Sequence, residues 1–296
     1  MAVTAEWIAV DWGTSNLRAF AMRGGAVLAE AASDHGMARL EKSEFGPALM
    51  SLISDWLGDG VTDVIACGMV GARQGWVEAP YGTVPSAPLA GNAVLVGGTD
   101  PRVRVFVVPG LKQEKPADVM RGEETQVAGF LAMNDSWDGV ICLPGTHTKW
   151  VHVSANEVVS FRTFMTGEMF ALLSENSVLQ HSVGAGWDEA AFEEAVSSTL
   201  SRPEALAAEL FGIRANDLLN AVPAATGQAR LSGLLLGAEL AAARPYWLGQ
   251  NIAVIGDAKL SDVYAKALKI QGGFVSVADC QDMTIAGLRA ARNLLG

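Results

Sequence analysis

The residues of this chain that could do chemistry gather on short, glycine-punctuated turns. The first is Asp11-Trp-Gly-Thr-Ser-Asn-Leu-Arg18. It offers the carboxylate of Asp11, a tight turn at Gly13, the hydroxyls of Thr14 and Ser15, and a cation at Arg18. Such a turn suits a metal-bound polyphosphate, with the acid on the magnesium side and the N–H and OH groups cradling oxygens. An ordinary capped hairpin has the same composition. The second turn is Leu143-Pro-Gly-Thr-His-Thr-Lys149. Here Gly145, Thr146, His147, Thr148 and Lys149 can hold phosphate oxygens, while Leu143 stands where the first turn has Asp11. The metal-side acid is therefore present in one copy only. His147 reads as a donor or a packing residue, because no second His or Cys stands at ligand spacing. Lys149, at the start of a strand, can also point outward.

Three further stretches carry candidate groups. Met120-Arg-Gly-Glu-Glu-Thr-Gln126 opens a helix. The dipole of a first helical turn favours ionised carboxylates, so Glu123 or Glu124 can take a proton from a substrate hydroxyl or simply cap the helix. Arg121 can bind an anion or pair with a neighbouring Glu. The loop Gly68–Tyr81 carries Arg73, whose planar guanidinium matches a carboxylate. Gln74, Trp76 and Tyr81 can line a sugar-like substrate, or the aromatics can cover the core. In Phe164-Met-Thr-Gly-Glu-Met169, Thr166 reads as an N-cap and Glu168 falls in the first turn. A role for either at a substrate stays open. Gly256-Asp257, at a strand end before a helix, can approach a nucleoside or form a plain turn.

The elements that must position these groups follow from apolar periodicity. Ile8–Val10, Leu17–Met22 and Ala26–Ala31 read as three strands, followed by a helix over Ser43–Leu57 and strands at Val61–Cys67 and Arg102–Val108. Pro109–Asp118 reads as a polar loop and Gly122–Met133 as a helix. The second half repeats the pattern: strands at Gly139–Leu143, near Trp150 and at Glu157–Thr163 enclose the second Gly-Thr turn. Helices follow near residues 167–175, 188–200, 203–211 and 227–243. Then come a strand at Ile252–Ile255, a helix over Leu260–Lys269, a strand at Phe274–Val277 and a final helix over Met283–Leu295. The recurrence of a β-β-β unit with Gly-Thr at equivalent points indicates an internal duplication. Gly233 and Gly237, four apart, predict close backbone packing of the Ala-rich helix.

Composition narrows the class. Of 296 residues, 50% are apolar and 18% charged, enough for two buried cores. A net charge of −11 excludes a nucleic-acid-binding surface but admits a small anion where cations converge. Cys67, Cys142 and Cys280 have no metal spacing and suit a reducing compartment. No basic-then-apolar leader and no long apolar run predict a cytoplasmic chain without a membrane span.

Taken together, Asp11–Arg18, Gly68–Trp76, Met120–Gln126, Leu143–Trp150 and Phe164–Met169 resemble the actin-like ATPase superfamily, which includes hexokinases and glycerol kinase. The resemblance is closest to its 2-dehydro-3-deoxygalactonokinase family. It implies an α/β fold of two ribonuclease-H-like domains, each β-β-β-α-β-α in type, with an interdomain cleft. The expected domains are residues 1–120 and 121–296, with helix 122–133 bridging the cleft. The resemblance further implies ATP and Mg²⁺ as cofactors, and phosphorylation of the 6-hydroxyl of 2-dehydro-3-deoxy-D-galactonate in galactonate breakdown. Carried over, Asp11 serves the metal, and Gly13 to Ser15 with Gly145 to Thr148 serve the phosphates, beside Arg18 and Lys149. Gly-Glu-Glu-Thr-Gln stands where related sugar kinases have Gly-Asp-Gln, so Glu123 is the direct counterpart of the base and Glu124 the alternative. Gly256-Asp257 replaces a Gly-Gly pair on the nucleoside side. Arg73, Gln74, Trp76, Tyr81, Arg121, Thr166 and Glu168 are the substrate candidates. The expected partners are a sugar acid and ATP, with no nucleic acid and no membrane; a homodimer is left open. A kinase for another sugar acid, such as 2-keto-3-deoxygluconate, and a non-catalytic nucleotide-binding regulator are the alternatives.

Overall fold

The computed structural model describes residues 3–295. The chain divides into two compact units. One comprises the residues up to Asp138, Val153–Ser160 and those from Asp279 onward; the other comprises Gly139–His152 and Phe161–Ala278.

The first unit begins with β1 (Trp7–Trp12), β2 (Leu17–Arg23) and β3 (Ala26–Ser33), followed by helix α1 (Phe45–Ile53). Then come β4 (Thr62–Cys67), β5 (Tyr81–Thr83), β6 (Val94–Leu95), β7 (Val103–Val107), β8 (Gly110–Gln113), β9 (Asp118–Met120) and helix α2 (Glu123–Met133). The main sheet has the order β3-β2-β1-β4-β7-β6. β1 pairs antiparallel with β2 and parallel with β4. That places the ends of β1 and β4, and hence Asp11 and Gly68, at one edge. β1 is buried on both faces, which is why Trp7-Ile-Ala-Val is apolar without alternation. One face packs on Phe45, Leu49 and Ile53 of α1. The other packs on Leu288 and Ala291 of the C-terminal helix α9 (Cys280–Asn293).

Helices α2 and α9 cross with almost no space between them. A Cβ on Gly129 would stand 1.9 Å from the Met283 carbonyl oxygen, and one on Gly287 would stand 1.9 Å from that of Thr125. Both helices therefore group with the first unit, whereas the sequence reading set the boundary at residue 120 with helix 122–133 as a bridge. The stretch expected as a polar loop after Pro109 contains β8, which pairs with β5 and β9 in a small sheet. Gly110 and Leu111 are buried there, and the polar residues around them concealed the strand.

In the second unit, β10 (Gly139–Leu143), β11 (Thr148–Ser154) and β12 (Glu157–Phe164) precede helices α3 (Thr166–Asn176), α4 (Glu189–Ser201), α5 (Leu206–Asn220), α6 (Ala224–Ala242) and α7 (Arg244–Trp247). Next come β13 (Asn251–Gly256), α8 (Ala258–Ile270) and β14 (Phe274–Asp279). The sheet order, β12-β11-β10-β13-β14, repeats the antiparallel-hairpin-then-crossover order of the first sheet, as the duplication required. Helices α4, α6 and α8 cover the sheet through Phe192, Val196, Leu236, Leu240 and Leu268. The expected close packing at Gly233 and Gly237 is present: Cβ atoms there would stand 2.6 Å from the carbonyl oxygens of Phe192 and Val196 on α4. Asp188 and Asp257 cap α4 and α8 by accepting from backbone N–H groups of the first turns.

Candidate active site

Within the first unit the β1–β2 turn is held from behind. Met37 and Ala38 donate their N–H groups to the carbonyls of Gly13 and Thr14 at 3.0 Å. A Cβ on Gly36 would lie 2.4 Å from Ser15 Cα, so only glycine lets this backing segment approach. With those carbonyls engaged, Thr14 and Ser15 present their exposed side outward. Asp11 faces Arg18 across the hairpin, and its Oδ2 accepts from the guanidinium at 2.6 Å. Both side chains keep some exposure, 19% for Asp11 and 39% for Arg18.

Gly68 and Gly122 bring the other groups to this edge. Both adopt positive φ, 91° and 107°. A Cβ on Gly68 would stand 2.7 Å from the Trp12 carbonyl oxygen, and one on Gly122 would stand 3.3 Å from Gly68 Cα. The ends of β1 and β4 and the start of α2 thus meet within contact distance. The two acids that follow Gly122 have different environments. Glu123 is half-buried and reaches back to accept the Arg121 N–H at 3.0 Å. Glu124 is fully buried, accepting from the Gly122 N–H at 2.6 Å and from the Thr125 hydroxyl at 3.0 Å. Burial, and then the charge of Glu123, pushes its carboxyl up to about 8. Burial thus favours the protonated form of Glu124, whereas a base works from its ionised form.

The substrate candidates separate. Arg121 is buried, stacked 4.2 Å over the Tyr81 ring and bonded to the Ala79 carbonyl at 2.8 Å. The structure brings these two candidates together, but against each other. Trp76 stacks on Phe45 and meets Trp12 edge-on, so its ring belongs to an aromatic cluster of the core. Arg73 and Gln74 are exposed at the outside of the same loop.

Within the second unit, the β10–β11 turn exposes Thr146 and His147 and leaves open space over Gly145. Thr148 and Lys149 turn inward: the Thr148 hydroxyl bonds the Tyr264 hydroxyl at 2.8 Å, and Lys149 donates to Thr163 at 2.8 Å. A strand covered on both faces buries both side-chain directions, so alternation gave no signal of this. The start of α3 lies directly against the turn. Glu168 donates its N–H to the Thr146 carbonyl at 3.0 Å, and its carboxylate meets the His147 ring at 2.6 Å. A Cβ on Gly167 would overlap the Gly145 carbonyl oxygen at 2.2 Å. Thr166 is not the expected N-cap; that position is Met165, and Thr166 begins the helix. Its hydroxyl bonds Glu239 instead.

A cavity of about 260 Å³ opens beside Gly145, walled by Thr166, Trp187, Leu236, Asp257 and Tyr264. Asp257 therefore stands at a cavity wall and also caps α8. Sequence reasoning missed Glu239, Trp187 and Tyr264, which lie on helices or loops far from the turn, and Gly36, whose role is a close approach that no local pattern announces. Among the described residues no group of three or more His, Cys, Asp or Glu gathers as a metal site. Asp11 alone offers a carboxylate at its turn, which is the donor set of a Mg²⁺ held mainly by phosphates and water. No helix among the described residues is long and apolar enough to cross a membrane.

The repeated strand order, with a glycine turn leading each sheet, makes a two-unit α/β fold of the ribonuclease-H-like type. A family model described as 2-keto-3-deoxy-galactonokinase matches residues 11–291. A probable 2-dehydro-3-deoxygalactonokinase of Rhizobium meliloti is 39% identical, with 98% of each chain covered. The 2-dehydro-3-deoxygalactonokinase of Escherichia coli is 34% identical over 97% of this chain and 98% of its own. A crystal structure of a Sinorhizobium meliloti protein assigned to the same activity superposes with a TM-score of 0.91 at 38% identity, covering 98% of this chain and 99% of that one. The chain belongs to the 2-keto-3-deoxy-galactonokinase family.

Proposed function

We propose that this chain transfers the γ-phosphoryl group of ATP to the 6-hydroxyl of 2-dehydro-3-deoxy-D-galactonate, with Glu123 as general base. Membership of the family over nearly the whole chain carries the reaction. The contrast between half-exposed Glu123 and fully buried Glu124, whose protonated form burial favours, carries the choice of base. In the step, the substrate oxygen bonds to the γ-phosphorus, the bond to the β–γ bridging oxygen breaks, ADP leaves, and the hydroxyl proton passes to Glu123. Phosphoryl transfer of this kind is mostly positioning and charge neutralisation. Asp11 would hold Mg²⁺, whose charge neutralises phosphate oxygens when bound. The backbone of Gly13 to Ser15, beside Arg18, and that of Gly145 to His147 bind phosphate oxygens. The purine occupies the cavity beside Gly145 and Asp257. Thr148, Lys149, Thr166 and Glu168 act by shaping the second turn. Exposed Arg73 and Gln74 bind the sugar acid, while Arg121 and Tyr81 brace the loop beside them. Three cysteines outside any disulfide, two of them buried, suit a reducing cytoplasm.

The test is ADP release with Mg·ATP over 2-dehydro-3-deoxygalactonate, 2-keto-3-deoxygluconate, gluconate and hexoses. Turnover confined to 2-dehydro-3-deoxygalactonate supports the assignment. Faster turnover of another acid replaces the substrate, and ADP release without any acceptor replaces the class.

A further inference from the structure

Behind the second turn lies a buried carboxylate that no cation neutralises among its hydrogen-bond partners. Glu239 projects from α6 and is 3% exposed. It accepts from Trp150 Nε1 at 2.8 Å and from the Tyr264 hydroxyl at 2.9 Å, and the Thr166 hydroxyl is its third partner. A buried acid with this many donors is costly to place unless each bond is made, so its partners are held to one geometry. Those partners are not scattered core residues. Trp150 follows the Gly145 turn on β11. Thr166 begins α3, beside the Gly167 that presses on the Gly145 carbonyl. Tyr264 walls the cavity, and its hydroxyl also bonds Thr148 in the turn. Because Tyr264 donates to Glu239, the Thr148 hydroxyl must be the donor in their shared bond. α6 itself cannot drift, since Gly233 and Gly237 seat it against the backbone of α4.

We propose that Glu239 is a positioning residue for the nucleotide, fixing the Gly145 turn and the adjoining cavity wall through Thr166 and through the Tyr264–Thr148 pair. The inference rests on the assignment of this turn and cavity to ATP. It predicts that Glu239 governs nucleotide affinity and leaves affinity for the sugar acid alone.

The full-length chain is assayed by steady-state kinetics, varying ATP and sugar acid in turn, and by calorimetric binding of Mg·ADP. Glu239→Gln removes the charge and puts an NH₂ where a carboxylate oxygen accepted, so the Tyr264 or Thr166 hydroxyl must turn round to accept from it, which re-sets the Tyr264–Thr148 bond. Tyr264→Phe cuts the link to Thr148 while keeping the ring in the cavity wall. Each should raise the KM for ATP and weaken ADP binding on the order of tenfold, the scale of a lost bond to a charged group. The KM for the sugar acid should stay at the wild-type value. Thr148→Val combined with Tyr264→Phe should be no worse than Tyr264→Phe alone, because losing the Tyr264 hydroxyl already breaks the link that Thr148→Val removes. Should Glu239→Gln fail to fold, Tyr264→Phe and the double variant decide the matter. An unchanged KM for ATP in folded variants, or equal shifts in both KM values, overturns the proposal. A wild type that neither binds ADP nor turns over ATP overturns the kinase reading, and the proposal with it.

Discussion

Replacing Glu124 by Gln should make the first unit less sensitive to alkaline pH while sparing catalysis. Glu124 is fully buried, and its carboxyl is carried from 4.5 to about 8, first by burial and then by the charge of Glu123. A raised carboxyl binds its proton in the folded state at pH values where the unfolded chain has released it. Stability therefore falls as pH rises from about 4.5 and levels off above about 8. At about 1.36 kcal/mol per pH unit, that window amounts to about 5 kcal/mol. Gln is the neutral isostere. Its amide oxygen can accept the Gly122 N–H, and its NH₂ can donate to the Thr125 hydroxyl once that hydroxyl rotates, so the bonding is kept. Denaturant unfolding of wild type and Glu124→Gln should give similar stabilities near pH 5, with the variant the more stable near pH 8 by several kcal/mol. Turnover by Glu124→Gln should stay within about tenfold of wild type, whereas Glu123→Gln should lose on the order of 10²- to 10⁴-fold in kcat. Parallel stability–pH curves would refute the account of Glu124 as a buried neutral acid. A larger kcat loss in Glu124→Gln than in Glu123→Gln would reverse the choice of base.

Asp11→Asn should fold with a wild-type melting profile and lose nearly all phosphoryl transfer; retained turnover at saturating Mg·ATP removes Asp11 from the metal. Arg73→Ala should raise the KM for the sugar acid and leave that for ATP unchanged, and the opposite pattern moves Arg73 to the nucleotide. Gly36→Ala must displace the backing segment, since its Cβ would fall 2.4 Å from Ser15 Cα. It should lower thermal stability and raise the KM for ATP; a variant with both unchanged shows that the turn needs no support from residues 36–38.

Both hairpins were legible because their signal is local. An apolar strand, a glycine and small hydroxyl residues within a few positions define turn and strands together. The duplication was legible for the same reason, and the repeated sheet order follows it. Thr148 was not separable from Thr146 by type, since what distinguishes them is Tyr264, contributed from 116 positions away. Trp76 and Arg121 looked like ligands for a similar reason. Their partners, Phe45 and Tyr81, come from other segments and consume the groups that seemed free. The sequence motif left Glu123 and Glu124 side by side as equals, and only the path of α2, turning at Gly122, sends one inward and the other toward the surface.

The crossing of α2 and α9 also bears on how the protein comes into being. The helix that carries Glu123 packs on one whose Thr284 is 158 positions beyond its partner Gln126. On the ribosome, both glycine turns and the whole second unit are made before α9 exists. Until then α2 exposes the narrow glycine-lined face that α9 later fills. A product cut short before residue 280 thus retains both turns but lacks the helix against which Gly129 and Thr125 pack.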